Sequence, residues 1–422
     1  MTTPASSQVG RELHLGLMFW ATGTHAAGWR YPGSRADGAY DVGFIQDVTR
    51  HVEDAKFDFL FLGDRLVTDP ALAKTNPAQM SRLEPFTAGS AIAAATSKIG
   101  IVVTANPTYY DPYTVARLFA SLDHLSHGRA SWNLVTGADA LAAGNFSRPE
   151  HWETEKRYDW ADEFVDVVRA LWDSWEDDAL VWDRDSGRAV TESKVHSINH
   201  HGPYFDVDGP LNVTRPPQGQ VVLLHAGTSD RSRELGAREA DVIFAQGPDI
   251  KAAREYYADV KERAARYGRS PDEIHILPGL SVIVAETTRE AVAIRDRLNG
   301  LLPVVDSKPE VRDGALGQAS RPRDDWGFTG NTTEVADYIE EWFVTKAADG
   351  FNLFPPFVPG SVEAFTELVV PELQKRGLYR TEYTGSTFRD HLGLAKPSNR
   401  FQHTARSVTG DSEPSPAAAH AS

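Results

Sequence analysis

Short apolar runs that are rich in β-branched and aromatic residues recur along this chain, and their alternation with amphipathic stretches constrains its fold most. The eight runs lie at 13–20, 57–63, 99–105, 130–136, 221–227, 241–246, 276–285 and 351–355. The stretches with helical spacing lie at 41–56, 85–97, 112–126, 158–175, 229–239, 250–267 and 333–347. Strands that alternate with helices predict parallel β-α units. Eight strands of nearly continuous apolar character predict an α/β fold of the closed (β/α)8 TIM-barrel type.

An open, doubly wound sheet would show the same alternation of strands and helices. Such a fold binds dinucleotides through a G-x-G-x-x-G turn that follows its first strand. No such turn follows the run at 13–20. The closed barrel is therefore the preferred interpretation.

Two stretches interrupt the repeat and are predicted to be insertions in a barrel that covers residues 13–403. The first, at about 176–220, contains Pro and Gly residues and an alternating segment typical of a β-hairpin. The second, at about 301–330, is rich in Pro, Gly and charged residues, and we interpret it as a lid. Residues 1–12 are interpreted as an N-terminal extension, and the Ser-, Pro- and Ala-rich residues 404–422 as a disordered tail.

The composition excludes several classes of function. Hydrophobic residues make up 41% of the chain and charged residues 24%, which is typical of a folded globular protein. The 43 basic and 59 acidic residues give a formal net charge of −16, so a nucleic-acid-binding surface is not expected. The absence of cysteine excludes disulfides, thiolate nucleophiles and Cys-ligated metals. Without a signal peptide or a membrane-spanning run, we expect a cytoplasmic protein.

In a parallel barrel, the reactive groups lie at the C-terminal ends of the strands and in the loops that follow. Aromatic and amide side chains dominate these positions here, and carboxylates are few. This set suits a flat, conjugated ligand better than a metal ion or a sugar. The candidates are Trp20, His25, Asp64, Arg65, Thr104, Asn106, Asn133, Thr136, Gly227–Asp230, Phe244, Gln246 and Phe354–Phe357.

The segment "LLHAGTSDRSREL" has a pattern that can bind phosphate. A predicted strand leads through Gly227 and Thr228 into a helix that begins at Ser229. The free N–H groups and the positive dipole end of such a helix attract anions. An ordinary serine N-cap explains the same residues, and the pattern alone favours that simpler explanation.

The histidines do not predict a metal site. His200 and His201 are adjacent on a predicted strand, so they cannot easily face one ion, and no carboxylate follows His196 or this pair at ligand spacing. His25 lies in a glycine-containing loop between Trp20 and Trp29. For His25, a role in an active site and a role in packing both remain open.

The ordered motifs of the chain are similar to those of the bacterial-luciferase-like flavin monooxygenases. The resemblance is to the group of nitrilotriacetate monooxygenase, pristinamycin synthase and dibenzothiophene-sulfone monooxygenase, and it covers residues 13–401. The motifs are "HAAGWRYP", "FLFLGD", "LEPFT", "YYDPYTVAR", "LDHLSHGRASWNLVTG", "KRYDWADEFVDVVRALWDSW", "GPLNVTRPPQGQVVLLHAGTS" and "YTGSTFRDHLGL".

The resemblance implies a homodimer or homotetramer that receives reduced FMN from a separate NAD(P)H:flavin reductase and uses O₂ to oxidise a small organic substrate. It also implies roles for individual residues. The cofactor-binding residues implied are Asp64, Thr104, Asn133, Tyr158, Gly227 and Ser229. The catalytic candidates are His25 and Asn133, and the substrate pocket candidates are Trp20, Phe61 and Phe244.

One position departs from the family pattern. The family usually has a histidine four residues before the tyrosine that matches Tyr158, and this chain has Thr154 there. His151, three residues earlier, is the candidate replacement. The sequence does not decide between His151 and Thr154.

Three other functions remain open at this point. The first is a luciferase-like oxidoreductase that uses a deazaflavin and needs no oxygen. The second is a flavin-binding protein without activity, and the third is a metal-dependent barrel hydrolase. The substrate is not predicted, because family members oxidise amines, sulfones and cyclic imines alike.

Overall fold

The computed structural model describes residues 11–137, 139–245, 249–302 and 327–402. Its strands are β1 His14–Met18, β2 Phe59–Leu62, β3 Gly100–Ala105, β4 Ala130–Leu134, β5 Leu180–Asp183, β6 Arg188–Val190, β7 His200–His201, β8 Asp206–Val207, β9 Val222–Ala226, β10 Val242–Phe244, β11 His275–Ile276, β12 Gly279–Ala285, β13 Phe328–Asn331 and β14 Gly350–Phe354. Its α-helices are α1 Val42–Asp54, α2 Leu72–Thr75, α3 Pro85–Ala93, α4 Pro112–Leu125, α5 Thr154–Asp173, α6 Asp230–Glu239, α7 Ile250–Arg266, α8 Thr288–Gly300, α9 Thr332–Val344, α10 Gly360–Ala364, α11 Val370–Lys375 and α12 Phe388–His391.

The parallel strands close into a barrel. β1, β2, β3, β4, β9 and β10 are neighbours in this order, and β14 lies on the other side of β1. β11 pairs with β10 and β12 pairs with β14, and these two strands are one run interrupted at Pro278. Leu277 N–H donates to Ile243 O (2.9 Å) and Asn352 N–H donates to Pro278 O (3.0 Å) across the interruption. The predicted (β/α)8 fold is therefore confirmed.

Strand alternation divides the buried residues into two sets. Leu15 and Leu17 of β1 belong to the large core between the barrel and its helices, whereas Met18 packs with Phe59 and Phe61 in a separate cluster. Successive side chains of a strand point to opposite faces, so the second cluster fills the barrel interior.

The structure adds elements that the sequence analysis missed. Each predicted amphipathic stretch forms a helix, but α8 was not predicted, because no apolar periodicity was recognised after β12. The predicted strand at 276–285 is divided into β11 and β12 by Pro278, which cannot donate a ladder hydrogen bond. The end of the predicted lid at 301–330 contains β13, which pairs in parallel with β12.

The insertion predicted at about 176–220 contains two short antiparallel pairs, β5 with β6 and β7 with β8. Most of the predicted lid and the predicted tail lie outside the described residues. Among the described helices, none combines the length and the apolar character that crossing a membrane requires.

The segment that contains α12 covers the N-terminal end of the barrel. Phe388 packs edge-on against Phe59, with 5.9 Å between ring centroids. A Cβ on Gly100 would lie only 2.7 Å from the Phe388 ring, so this close approach requires glycine. The "FRDHLGL" motif therefore forms the floor of the barrel.

A buried carboxylate connects this floor to the first two strands. Asp58 is fully buried, accepts from Leu15 N–H (2.7 Å), and lies 2.9 Å from His14 Nδ1 and 2.6 Å from Arg380 Nη2. Burial by itself would raise the pKa of Asp58, but Arg380 and His14 hold it below its ordinary value. Asp58 is therefore ionised at neutral pH and depends on Arg380.

We expect Arg380→Met to lower the free energy of unfolding by about 3–5 kcal/mol, because it leaves Asp58 buried without its cation. Urea denaturation measures this value. Arg35→Met is the control, since Arg35 pairs with Asp37 and Asp41 in solvent and its loss should change the free energy of unfolding far less. The contribution from ionised Asp58 is lost as the pH falls through its folded-state pKa. The free energies of unfolding of wild type and Arg380→Met should therefore converge in acid. An equal loss in both variants would contradict this role of Asp58.

Candidate active site at the C-terminal end of the barrel

Four inward-facing residues of alternate strands share one layer of the barrel interior. Asn352 lies beside Gly16 in the strand register, and Gly16 lies beside Phe59. In a barrel of this type, each step to the next strand shifts the height by about one residue, so alternate strands supply a common layer. Followed around the barrel, this register places Phe61 of β2, Asn133 of β4 and Phe244 of β10 level with Asn352 of β14. We call these residues the four-residue layer.

Three of these residues, Phe61, Asn133 and Phe244, are candidates from the sequence analysis, and the structure brings them together. Phe244 stacks on Phe354, with 5.5 Å between ring centroids. Trp20 packs in the same interior cluster as Phe61 and Phe244. The walls around Asn133 and Asn352 are therefore largely aromatic.

Thr104 positions the amide of Asn133. Asn133 Nδ2 donates to Thr104 Oγ1 (2.9 Å), and Thr104 Oγ1 donates to the backbone oxygen of Leu62 (2.9 Å). Asn133 Oδ1 is buried and has no hydrogen-bond partner among the described residues. Asn133 Oδ1 is therefore an acceptor that is held in one position and can accept a hydrogen bond from a ligand.

Asn352 is a candidate that the sequence analysis missed. It is 1% exposed, and within the described part of the chain neither its Oδ1 nor its Nδ2 has a hydrogen-bond partner. Its register neighbours are Gly16 and Gly279, which have no side chains that could bond it. A buried amide without partners costs about 1–3 kcal/mol for each orphaned group, so Asn352 is a candidate for contact with a polar group from outside the chain. An asparagine inside the apolar run "GFNLF" was the available signal.

The segment from β9 to α6 has the geometry predicted for anion binding. Ser229 is the N-cap of α6, and its Oγ accepts from Ser232 N–H (3.2 Å). Gly227 has a φ of +151°, and a Cβ there would lie 2.1 Å from Ser232 Oγ, so glycine is required. The cap confirms the ordinary explanation of Ser229 and leaves the helix N-terminus open to an anion.

His225 fixes this helix to the neighbouring strand, a role that the sequence analysis did not identify. Its Nε2 lies 2.8 Å from Ser232 Oγ and its Nδ1 lies 2.8 Å from Leu134 O. Burial lowers its pKa to about 4, so the ring is neutral near pH 7. The orientation of the α6 N-terminus therefore depends on a neutral imidazole.

Tyr158 lies close to this helix N-terminus. It is buried in the second turn of α5, and the Arg231 guanidinium lies 5.7 Å from its ring centroid. Arg231 is two residues after Ser229, and it pairs with Asp159 of α5 at 2.7 Å. The structure thus places Tyr158 and Ser229 on two adjoining helices.

The position of the family histidine is filled differently. Thr154 begins α5, and its Oγ1 accepts from Arg157 Nη2 (3.0 Å). His151 Nδ1 lies 2.7 Å from Tyr109 Oη, and His151 Nε2 is buried without a partner among the described residues. Burial lowers the pKa of His151, so it is available as a neutral hydrogen-bonding group.

The structure places His25 at the edge of the site. Its Nδ1 accepts from Ala27 N–H (3.0 Å), which leaves the proton on Nε2, 3.4 Å from Asn299 Oδ1 of α8. Burial lowers the pKa of His25, whereas Asn299 acts in the opposite direction. The loop that holds it is anchored to β14 through Thr24 N–H and Pro355 O (2.8 Å).

Asp64 follows β2 and is half-buried. Its Oδ1 accepts from Arg65 N–H (2.8 Å), and burial raises its pKa. The nearby charges are Arg82, which lowers the pKa of Asp64, and Glu84, which raises it. Asp64 is therefore a polar group at the rim rather than part of the four-residue layer.

The histidines that were considered as metal ligands each have their own carboxylate. His196 lies 2.9 Å from Glu176, His200 lies 2.9 Å from Glu163, and His201 lies 2.9 Å from Asp206. No group of three or more potential ligands in the described ranges is arranged to hold a metal ion.

Comparison with known proteins identifies the relatives of this chain. Residues 18–348 match the family of luciferase-like monooxygenases. N-acetyl-S-(2-succino)cysteine monooxygenase of Bacillus subtilis (strain 168) is 40% identical and aligns with 93% of this chain and 98% of its own. Nitrilotriacetate monooxygenase component A of Aminobacter aminovorans is 41% identical, with 92% and 98% aligned. The resemblance to this group is confirmed.

A solved structure shares the fold of this chain. Riboflavin lyase, solved with modified FMN and riboflavin, superposes with a TM-score of 0.83 at 30% sequence identity. The superposition covers 95% of this chain and all of that chain.

We expect Asn352→Leu to raise the free energy of unfolding by about 1–3 kcal/mol, because it removes buried polar atoms that have no partner. Thermal and urea denaturation of the protein without ligand measure the change. Asn399→Leu is the matched control: Asn399 is equally buried, but its Nδ2 donates to Asp173 O (2.8 Å) and Trp175 O (2.9 Å). This control should be destabilised. A similar loss in Asn352→Leu would mean that Asn352 is structural.

Proposed function

Because the chain belongs to the luciferase-like monooxygenase family, we propose that it is the oxygenase component of a two-component system. In this proposal a separate NAD(P)H:flavin reductase supplies reduced FMN, and the protein uses this flavin and O₂ to oxidise a small organic substrate. A homodimer or homotetramer and a cytoplasmic location remain predictions.

The observation that supports FMN most directly is the set of orphaned amide atoms in the barrel. Asn133 Oδ1 and both amide atoms of Asn352 are buried without partners in the described part of the chain. An isoalloxazine ring offers flat apolar surface together with carbonyl and N–H groups at one edge. Aromatic walls with unpartnered amide atoms match this combination, so the residues present fit a flavin.

The flavin phosphate would be held at the β9–α6 segment. The open N-terminus of α6 and the hydroxyl groups of Ser229 and Tyr158 would bind it. Gly227 lets the backbone approach closely, and His225 keeps the helix in position. The remaining contact on this side would come from His151 Nε2 or from the hydroxyl proton of Thr154, whose Oγ1 accepts from Arg157.

Reduced FMN, when bound, would activate O₂ for transfer of one oxygen atom to the substrate. The residues of this chain would exclude water and hold the reactants. Phe61, Phe244 and Trp20 keep the interior apolar, and Asn133 and Thr104 present fixed polar groups. His25 holds a proton on Nε2 at neutral pH, which suits a role in proton transfer at the rim.

The alternative of a deazaflavin-dependent oxidoreductase is not favoured. Structures of deazaflavin-dependent enzymes that superpose on this chain share only 16–18% sequence identity and show the fold alone. The substrate remains open within the family, since relatives are named for N-acetyl-S-(2-succino)cysteine, nitrilotriacetate and long-chain alkanes.

Oxygen consumption tests the function. We expect the purified protein to be nearly colourless and to bind reduced FMN more tightly than oxidised FMN. With an added reductase, NADH and FMN, a panel of thioethers, amines and sulfones should yield a product containing one atom from ¹⁸O₂. Purification with stoichiometric FMN that NADH reduces directly would contradict the two-component proposal. Oxygen uptake no faster than that of free reduced flavin would support an inactive flavin-binding protein.

We expect Ser229→Ala to weaken the binding of reduced FMN roughly 10- to 100-fold, because it removes one charge-assisted hydrogen bond to phosphate. Riboflavin, which has no phosphate, should bind both proteins equally. Ser229→Asp keeps a good N-cap but adds a negative charge, so it should weaken FMN binding further without loss of stability. Equal weakening of FMN and riboflavin would show that Ser229 acts only through folding.

A further inference from the structure

A buried cation with one unpartnered N–H group lies outside the four-residue layer. Arg82 belongs to the loop between β2 and α3, and it lines a pocket at the ends of β1 and β2 together with Phe19, Trp20, Leu62 and Gly63. Gly63 packs against the interior cluster, since a Cβ there would lie 3.6 Å from Trp20 and 3.8 Å from Phe61, whereas Phe19 and Leu62 belong to the core between the barrel and its helices. The pocket therefore adjoins the proposed reaction site.

The Arg82 guanidinium is held in a fixed orientation. Its Cζ lies 4.0 Å above the Trp20 ring centroid, and its Nη2 donates to Gln79 O at 2.8 Å. Its Nη1 is buried and has no hydrogen-bond partner within the described ranges. No carboxylate of the described residues lies within ion-pair distance of Arg82. The cation is thus oriented on one side and unsatisfied on the other.

The surrounding charges do not neutralise Arg82 by direct contact. Burial lowers its pKa to about 10, and Asp64 partly offsets this effect, so Arg82 is still a cation at neutral pH. The positive charge of Arg65 also lowers the pKa of Arg82, but Arg65 itself pairs with Asp139 at 2.7 Å. The Glu84 carboxylate caps α3 by accepting from the N–H groups of Phe86 and Thr87.

Removing a cation from water without a counter-ion costs free energy, and a bound anion offsets this desolvation penalty. A guanidinium stacked on an aromatic ring presents its N–H groups in a plane, which matches the two oxygens of a carboxylate. The apolar walls formed by Phe19 and Leu62 would contact the hydrocarbon part of the same molecule.

We propose that Arg82 binds a carboxylate of the organic substrate, so that the substrates of this enzyme are small carboxylic acids. That the bound acid is a substrate rests on the proposed function, whereas the existence of the anion site does not. The phosphate of FMN is the other anion that could reach Arg82, although its proposed site is at β9 and α6, and the strands β3 and β4 separate β2 from β9.

Saturation-transfer NMR on the flavin-free protein tests the site directly. Succinate is the probe, and succinamide is the neutral control. We expect succinate to bind and succinamide not to bind, and Arg82→Gln to weaken succinate binding at least 10-fold. Arg50→Gln removes the same charge from an exposed position on α1 and should leave binding unchanged. Arg82→Lys keeps the charge but lacks the paired N–H donors of the guanidinium, so its affinity for succinate should be intermediate.

Two further measurements separate the possible outcomes. Equal affinity of Arg82→Gln and wild type for succinate would overturn the proposal. A loss of FMN affinity in Arg82→Gln with unchanged riboflavin affinity would assign the anion to the flavin phosphate, which also overturns it. If Arg82→Gln does not fold, Arg82→Lys becomes the test: a reduced affinity for succinate supports the site, and an affinity equal to that of wild type overturns it.

If the protein shows no oxygenase activity but Arg82→Gln still abolishes succinate binding, the proposed function is wrong and the anion site is supported. For an active enzyme, Arg82→Gln should raise the KM for an acid at least 10-fold and leave the KM for its primary amide unchanged.

Discussion

The buried ion pair between Asp58 and Arg380 connects the first two barrel strands to a segment more than three hundred residues away along the chain. Asp58 bonds the backbone of β1 through Leu15, and Arg380 donates to the backbone oxygen of His391 in the floor. Breaking this pair leaves a charge in the interior, so the pair stabilises the contact between the floor and the strands. The height of β1 and β2 relative to the floor is fixed at this point.

Because the barrel is closed, this fixed height determines which side chains meet at the opposite end. The stagger of the strands leads from Gly16 and Phe59 around the barrel to a layer of two aromatic and two amide residues. A slip of one residue in any strand would turn its inward residue toward the helices. The arrangement of the candidate site is thus a consequence of the register, and not of local sequence at the site.

This dependence explains what the sequence could and could not predict. The apolar runs predicted the barrel because each strand carries its own pattern, and the resemblance identified Phe61, Asn133 and Phe244. The placement of Asn133 and Asn352 in one layer could not be predicted, because it arises from strand pairings across the whole barrel. Arg82 was missed because an arginine in a polar loop is normally solvated, and its burial depends on where Trp20, in the loop after β1, lies.

The proposed contacts divide the barrel mouth into two sides with different charge requirements. The α6 N-terminus beside β9 offers partial positive charge from backbone N–H groups, whereas Arg82 beside β2 offers a full cation stacked on Trp20. A fixed guanidinium discriminates a carboxylate from its neutral amide, because the amide leaves the cation unpaired. The dipole of a helix terminus is weaker and is joined by hydroxyl groups, which suits a phosphate held by several donors. With the amides of Asn133 and Asn352 between these sides, two anionic molecules could bind together without competing for one cation.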